Sequence, residues 1–281
     1  MSDSPRSAPD WLTRLIADAK AADGAPPFSD QSLVDYRMGV RELVAIGEDA
    51  AALVPEPAEG REAEAEFVVS ADARRRGLGT RLLEQLLADG STLFWAHGDA
   101  PGARALAASH GLTAVRELLH FVGPVPTGST RAHGSDKPRV EPVETFVLGQ
   151  DEDEWVALNA RIFADHPEQG SVTRADLEQL ESEDWFRAEN FLVLRRDGRM
   201  IGYCWLKVEH GRGEFYVVGV DPDHHGEKLG SLLFDAGLAR LAELGIRSSH
   251  LYVDGVNVEA LRLYRSRGFT QDSIDIQYSL S

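Results

Sequence analysis

The stretch EFYVVGVDPDHHGEKLG, from Glu214 to Gly230, joins three features with chemical consequences. An acidic residue opens a buried-looking strand. The strand ends in Val-Asp-Pro, and a polar, glycine-containing turn then enters an amphipathic helix near Ser231. Such a strand–turn–helix unit leaves main-chain amides unpaired at the helix start, where the helix dipole also favours an anion. The turn therefore suits a pyrophosphate. A near-copy, EFVVSADARRRGLGTRLLEQLL, begins at Glu66. Its run Arg74-Arg75-Arg76 lies inside the turn and reads as a small-anion site; the plainer alternative is a solvated charge run.

Aligning the copies on Gly79 and Gly230 pairs Val69 with Val220 and Arg74 with His225. Aligning their later parts on Gly111 and Gly268 pairs Trp95 with Tyr252, Ala100 with Asn257 and Ala107 with Tyr264. The same elements recur in the same order, as duplication predicts. Asn257 and Tyr264 stand two turns apart on one helix face and have only alanines opposite them. The asymmetry predicts that one half carries out the chemistry and the other does not.

The elements that must position these residues follow from periodicity and breakers. In the first half, helices are expected over 11–22, 30–40, 80–88 and about 101–110, with Gly111 as a C-cap. Strands are expected at 41–46, 50–54, 66–70 and 92–96. In the second half, helices are expected over 151–163, 173–183, 230–244 and 257–266, and strands at 190–195, 199–209, 213–220, 248–253 and 273–280. Residues 123–143 are rich in Pro, Gly and Ser and read as a linker between domains 1–122 and 144–281.

At 281 residues the chain fits two domains, each able to bury a core, and its 43% hydrophobic content suits a globular protein. No apolar run reaches membrane-spanning length, and the start MSDSPRSAPD is polar, so neither membrane nor signal peptide is expected. Cys204 is the single cysteine; it excludes a disulfide framework and reads as a small buried hydrophobe in a cytoplasmic protein. A formal net charge of −17 argues against a nucleic-acid partner. His224, His225 and His166 lack a third ligand at useful spacing, so no metal is expected. His97 reads as a satisfied structural histidine.

The repeated unit resembles the GNAT acetyltransferase superfamily, whose signature is Arg/Gln-x-x-Gly-x-Gly/Ala between a strand and a helix. Arg74-Arg75-Arg76-Gly77-Leu78-Gly79 fits it completely. His225-Gly226-Glu227-Lys228-Leu229-Gly230 keeps the last glycine but carries Lys228 at the first, where a positive φ is dearer for lysine. Over almost the whole chain the tandem arrangement is similar to the mycothiol synthase family. The matching blocks are FWAHG (94–98) with VREL (115–118), HPEQG (166–170), Trp205 with Lys207, EFYVVGVDP (214–222), LYVDGVNVEALRLYRSRGF (251–269) and DSIDIQYSL (272–280).

The resemblance implies an α/β protein with mixed sheets, built as two tandem GNAT domains. The C-terminal half would be catalytic, and the N-terminal half would keep a coenzyme A site without catalytic residues. It implies acetyl-CoA as donor and, as acceptor, the cysteine amine of a small pseudodisaccharide, cysteinyl-glucosaminyl-inositol. The protein would act as a monomer or weak associate. Two alternatives remain at this point: acetylation of another amine, such as a peptide N-terminus or an antibiotic, and a non-catalytic acyl-CoA sensor.

Amine acetylation by a thioester requires that the pyrophosphate be held, the carbonyl polarised, the ammonium deprotonated and the departing thiolate protonated. The resemblance puts main-chain groups of Val218, Gly219 and Val220 beside the pantetheine, with the Val220 amide at the developing oxyanion. His225, Gly226, Glu227, Lys228, Leu229, Gly230 and Ser231 would hold the pyrophosphate. Asn257, Val258, Glu259, Ala260, Leu261 and Arg262 would line the remaining coenzyme. In the first half, Phe67, Val68 and Val69 with the loop Arg74–Gly79 would do the same.

Glu214 is the candidate general base, or else a strand-edge glutamate that is solvated or only binds substrate. Tyr264 is the candidate general acid, because a group with a pKa near 10 stays protonated at neutral pH and can give its proton to a thiolate; the alternative is core packing beside Leu263. Asn257 would also serve as a helix cap. The expected substrate contacts are Glu168, Lys207, Glu214, Tyr252 and Asp30, with surface charge as the alternative for the charged ones.

Overall fold

A computed structural model describes residues 6–55, 63–127, 142–164, 166 and 169–280. Helices α1 (Asp10–Asp23) and α2 (Asp30–Met38) come first, followed by β1 (Arg41–Ile46), β2 (Ala50–Pro55), β3 (Glu64–Val69), α3 (Leu78–Ala88), β4 (Leu93–His97), α4 (Pro101–Ser109) and β5 (Leu112–Pro124). Next are β6 (Val143–Thr145), α5 (Glu152–Ile162), α6 (Arg174–Glu181), β7 (Phe191–Arg196), β8 (Arg199–Glu209) and β9 (Arg212–Val220). The chain closes with α7 (Leu229–Glu243), β10 (Ser248–Asp254), α8 (Val258–Ser266) and β11 (Thr270–Leu280).

The compact units are not the two sequential halves. The first contains the chain up to His120 together with Val253–Val258 and the chain from Gln271 onward; the second contains Phe121–Tyr252 and Glu259–Thr270. The strand that ends the chain therefore departs from the division at 122 and 144. It runs antiparallel to β4, with Asp275 opposite His97 and Ser279 opposite Leu93. Alternation explains the choice. Ile274, Ile276 and Tyr278 join the core of Leu82, Leu83, Leu86 and Phe94. The residues between them meet polar partners: Gln277 donates to Glu64, and Asp275 contacts His97.

In the first unit the strand order is β1-β2-β3-β4-β11-β5, with β3 and β4 parallel. β5 was not expected from the sequence, because Thr113–Glu117 show no alternation and clean alternation begins only at Leu119. It extends to Pro124, and Val125 donates to the Arg247 carbonyl at 3.0 Å, so the expected linker is ordered at its start. Residues 128–141 lie outside the described ones.

In the second unit the order is β5-β10-β9-β8-β7-β6, with β9 and β10 parallel. One face is covered by α7, whose Leu233, Phe234 and Leu241 are buried. Gly237 allows the close approach: a Cβ there would lie 2.6 Å from Phe215 and 2.9 Å from Cys204. The other face carries Trp155, Leu158 and Leu177 of the α5–α6 layer against Phe191, Tyr203 and Trp205. Trp205 stacks on Phe191 at 4.5 Å, a large apolar surface removed from water.

Candidate active site

The two anion loops have the same backbone path. After β3 a 3-10 turn, Ala71–Ala73, leads to extended Arg74, then to positive φ at Arg75 (62°) and Gly77 (80°) before α3. After β9 a 3-10 turn, Pro222–His224, leads to extended His225, then to positive φ at Gly226 (83°) and Lys228 (64°) before α7. Lys228 thus takes the conformation that Gly77, the family glycine, takes in the first copy, and Arg75 takes that of Gly226. The first intrahelical bonds of these helices include Arg81 to Gly77 and Leu232 to Lys228, which leaves the preceding amides turned out of each helix start.

The side chains of the loops differ in what they hold. Arg74 donates from Nε to the Val69 carbonyl and pairs with Asp23 through both terminal nitrogens at 2.7 Å. Glu227 is ion-paired with Arg196 at 2.9 Å and with His224 at 3.0 Å. The Ser231 hydroxyl accepts from Arg267.

β9 and β10 pair only briefly. Gly213, Glu214 and Phe215 face Ser249, His250 and Leu251, whereas β9 continues to Val220 paired with β8. The main chain of Tyr216–Val220 therefore has its β10 side without a strand partner among the described residues. A bulge adds to this: Trp205 pairs with Val217 and Leu206 with Phe215, so Tyr216 is the extra residue. Gly219 is packed tightly from below; a Cβ there would lie 2.9 Å from Ile162. Phe67–Val69 of the first unit are placed alike, since β3 pairs with β4 only over Glu64–Glu66.

Glu214 and Tyr264 lie on opposite faces of the sheet. Gly213 and Phe215 face α7: a Cβ on Gly213 would meet Leu241, and Phe215 stacks on Phe234 at 4.1 Å. Alternation turns Glu214 the other way. There it lies opposite Lys207 in register, with His250 Nε2 3.7 Å from its carboxylate. Burial is the first cause that raises the Glu214 carboxyl above its ordinary range; Lys207 opposes the rise and Glu209 adds to it. Tyr264 lies on the α7 side, 5.0 Å from Phe234 and 6.4 Å from Phe269. Burial pushes its hydroxyl well up, with Cys204 adding.

The other expected residues separate. Lys207 sits over the Trp185 ring at 5.0 Å, and Tyr252 is half exposed beside His250. Asn257, Val258, Glu259 and Arg262 are exposed, Ala260 is half-buried and Leu261 is buried. Asp30 opens α2 in the first unit and is exposed. Glu168 lies outside the described residues. Trp185, Glu209 and His250 were not anticipated. The alternation of Lys207 with Glu209 on one strand was a usable signal, whereas the register that brings His250 to Glu214 is not written locally. Among the described residues no group of three or more His, Cys, Asp or Glu is placed to hold a metal. No described helix is long and apolar enough to cross a membrane.

Comparison with known proteins identifies the family. The Acetyltransferase (GNAT) family matches residues 155–269, which include both sides of the β9–β10 opening. The mycothiol acetyltransferase of Clavibacter michiganensis subsp. michiganensis is 45% identical over 92% of this chain and 87% of its own. That of Kocuria rhizophila is 39% identical over 96% and 95%. Among solved structures, a GCN5-related N-acetyltransferase from Sphaerobacter thermophilus superposes with a TM-score of 0.72 at 21% identity, covering 95% of this chain and 90% of its own. A tandem GNAT protein from the clavulanic acid pathway gives 0.66 at 19% identity, covering 98% and 96%, and shares the fold. The chain belongs to the mycothiol acetyltransferase family of tandem GNAT proteins.

Proposed function

We propose that this protein transfers the acetyl group of acetyl-CoA to the cysteine amine of cysteinyl-glucosaminyl-inositol, giving mycothiol and CoA. The observation that carries the reading is the opening between β9 and β10, with Glu214 on one face and Tyr264 on the other. A thioester lying in that opening meets an amine from the Glu214 side and releases its sulfur toward the Tyr264 side. The ammonium gives one proton to Glu214, its freed lone pair attacks the carbonyl, and the C–S bond breaks as the thiolate takes the Tyr264 proton; the nitrogen's second proton leaves as the amide forms and restores Tyr264, and Glu214 returns its proton to solvent. The unpaired β9 main chain, the Val220 amide above all, polarises the carbonyl. The amides at the start of α7, with Lys228, hold the pyrophosphate.

Lys207, Tyr252 and Glu168 orient the acceptor hydroxyls. Asp30 is retained as a further candidate. In the first unit, the Arg75–Gly79 turn and Phe67–Val69 hold a second CoA, while Ala107 leaves no acid there. No metal takes part, and the protein works as a cytoplasmic monomer.

The test is a competition among amines. Purified protein with acetyl-CoA should acetylate the pseudodisaccharide amine in strong preference to peptide N-termini and aminoglycosides, measured as kcat/KM. Preference for one of the other amines would overturn the substrate assignment, and CoA binding without turnover on any of them would favour an acyl-CoA sensor.

A further inference from the structure

Lys207 and Glu214 are register partners across β8 and β9, the arrangement in which a lysine and a glutamate ordinarily pair. They do not pair here. Lys207 Nζ lies 3.1 Å from Glu209 Oε2, two residues along the same strand face, and over the Trp185 ring at 5.0 Å. Glu214 instead has His250 at 3.7 Å. We propose that Glu209 is a positioning residue: it holds Lys207 away from Glu214 and so keeps Glu214 able to accept the proton of the acceptor amine. The inference rests on the reading of Glu214 as the base.

The reason is electrostatic. A carboxylate beside an ammonium loses affinity for protons, typically by about one to three pK units at ~4–6 Å, and a weaker base takes a proton from the amine less readily. Glu209 opposes this twice, by occupying the ammonium and by adding its own negative charge. The charged and titratable groups facing the pair are Lys207 and Glu209 on β8, Arg212 (opposite Glu209 in register) and Tyr216 on β9, and His250 and Tyr252 on β10, with Glu183 acting on Tyr216. Phe121–Pro124, the part of β5 in this unit, has no titratable side chain. Glu209 is itself 40% exposed, so its role does not depend on burial.

The experiment is Glu209→Gln, read first by a carboxyl NMR titration of Glu214 without substrate. The expected result is a downward shift of the Glu214 titration by about one pH unit, with Lys207 released onto it. Glu209→Asp should keep most of the wild-type value. In a Lys207→Met background the Glu209→Gln shift should shrink to the small direct effect of one charge. In kinetics, the acid limb of kcat/KM should move to lower pH and the plateau should fall severalfold, with KM for acetyl-CoA unchanged.

An unmoved titration in Glu209→Gln overturns the proposal, and so does an equal shift with and without Lys207. A rise in amine KM with an unmoved limb would make Glu209 a substrate contact and also overturns it. A shifted titration without any change in rate would instead mean that Glu214 is not the base, a failure of the underlying reading.

Discussion

Arg74 and His225 make the same contact in the two repeats. Arg74 Nε donates to the Val69 carbonyl at 3.2 Å, and His225 Nε2 donates to the Val220 carbonyl at 3.2 Å. Each ties the loop back to the last residue of its strand. An arginine and a histidine are thus interchangeable here because one donor at that height braces the turn. The first duty of Arg74 is structural, and its remaining nitrogens are held by Asp23.

The two positive-φ positions are shared out in opposite ways: arginine then glycine in the first loop, glycine then lysine in the second. A left-handed conformation costs a side-chain-bearing residue about 1–2 kcal/mol, part of which glycine returns as unfolded-state entropy. Lys228→Gly should therefore raise stability by up to about 1 kcal/mol, measured by denaturant unfolding. The KM for acetyl-CoA should rise severalfold, because a cation leaves the loop proposed to hold the pyrophosphate. A fall in stability would show that the Lys228 side chain supports the fold.

Calorimetry should find two CoA sites per chain. Arg75→Ala and Arg76→Ala should weaken one of them and leave turnover intact. A single site in the second unit would reduce both residues to surface charge, and a single site in the first would refute the catalytic assignment.

His97 should make stability depend on pH. It stands between Asp275 at 3.1 Å and Glu66 at 3.4 Å. Burial opposes its charge, but the hydrogen bonds and charges of Asp275 and Glu66 outweigh burial and raise it to about 9. Glu66, also opposed by burial, is lowered to about 2 by His97 first, then by Ser32 and Ser29. The histidine contribution is full below its unfolded value of about 6.5 and is lost as pH rises through about 9. The Glu66 contribution is full above about 4.5 and is lost as pH falls through about 2. His97→Gln should cost about 3 kcal/mol near pH 6, because it leaves buried carboxylates unmatched, and much less above pH 9. A difference that stays flat from pH 6 to pH 10 would mean that His97 acts by packing.

Much of this was legible in the text of the chain, for physical reasons. The loops were visible because free amides, turn residues and a helix start are local features. The contrast of Tyr264 with Ala107 was visible because α4 and α8 have the same length. What could not be read was long-range pairing. DSIDIQYSL alternates as any edge strand does, and nothing in it says that its apolar side will meet α3 rather than α7. The Glu214–His250 contact depends on a parallel register set by distant packing, and the Lys207–Glu209 pair competes with a cross-strand partner that sequence spacing alone cannot weigh.

Tyr264→Phe should lower kcat by about 10–100-fold and leave the KM for acetyl-CoA nearly unchanged. Burial raises the phenol, so it keeps its proton throughout the neutral range and should contribute no basic limb below the phenol range. The loss should ease with a donor whose thiol leaves readily as an anion. Unchanged turnover at every pH would remove Tyr264 from the acid role and leave it as a packing residue against Phe234.

Glu214→Gln is the sharpest test of mechanism. Near neutral pH the acceptor amine is mostly protonated, so attack requires that a proton be removed. Glu214 stands on the sheet face proposed for the amine, and burial has raised its proton affinity above that of an ordinary carboxylate. Glutamine preserves size and hydrogen bonding but removes basicity. The expected result is a fall in kcat/KM for the amine of about 10²-fold or more. The acid limb, which in the wild type reflects loss of the Glu214 base as pH falls, should be replaced by one that follows ionisation of the amine itself. Acetyl-CoA binding should change little, because the loop beyond Val220 is untouched. Near-normal kcat with a weakened amine KM would make Glu214 a binding residue, and the amine would then be reaching the thioester already neutral or losing its proton to water.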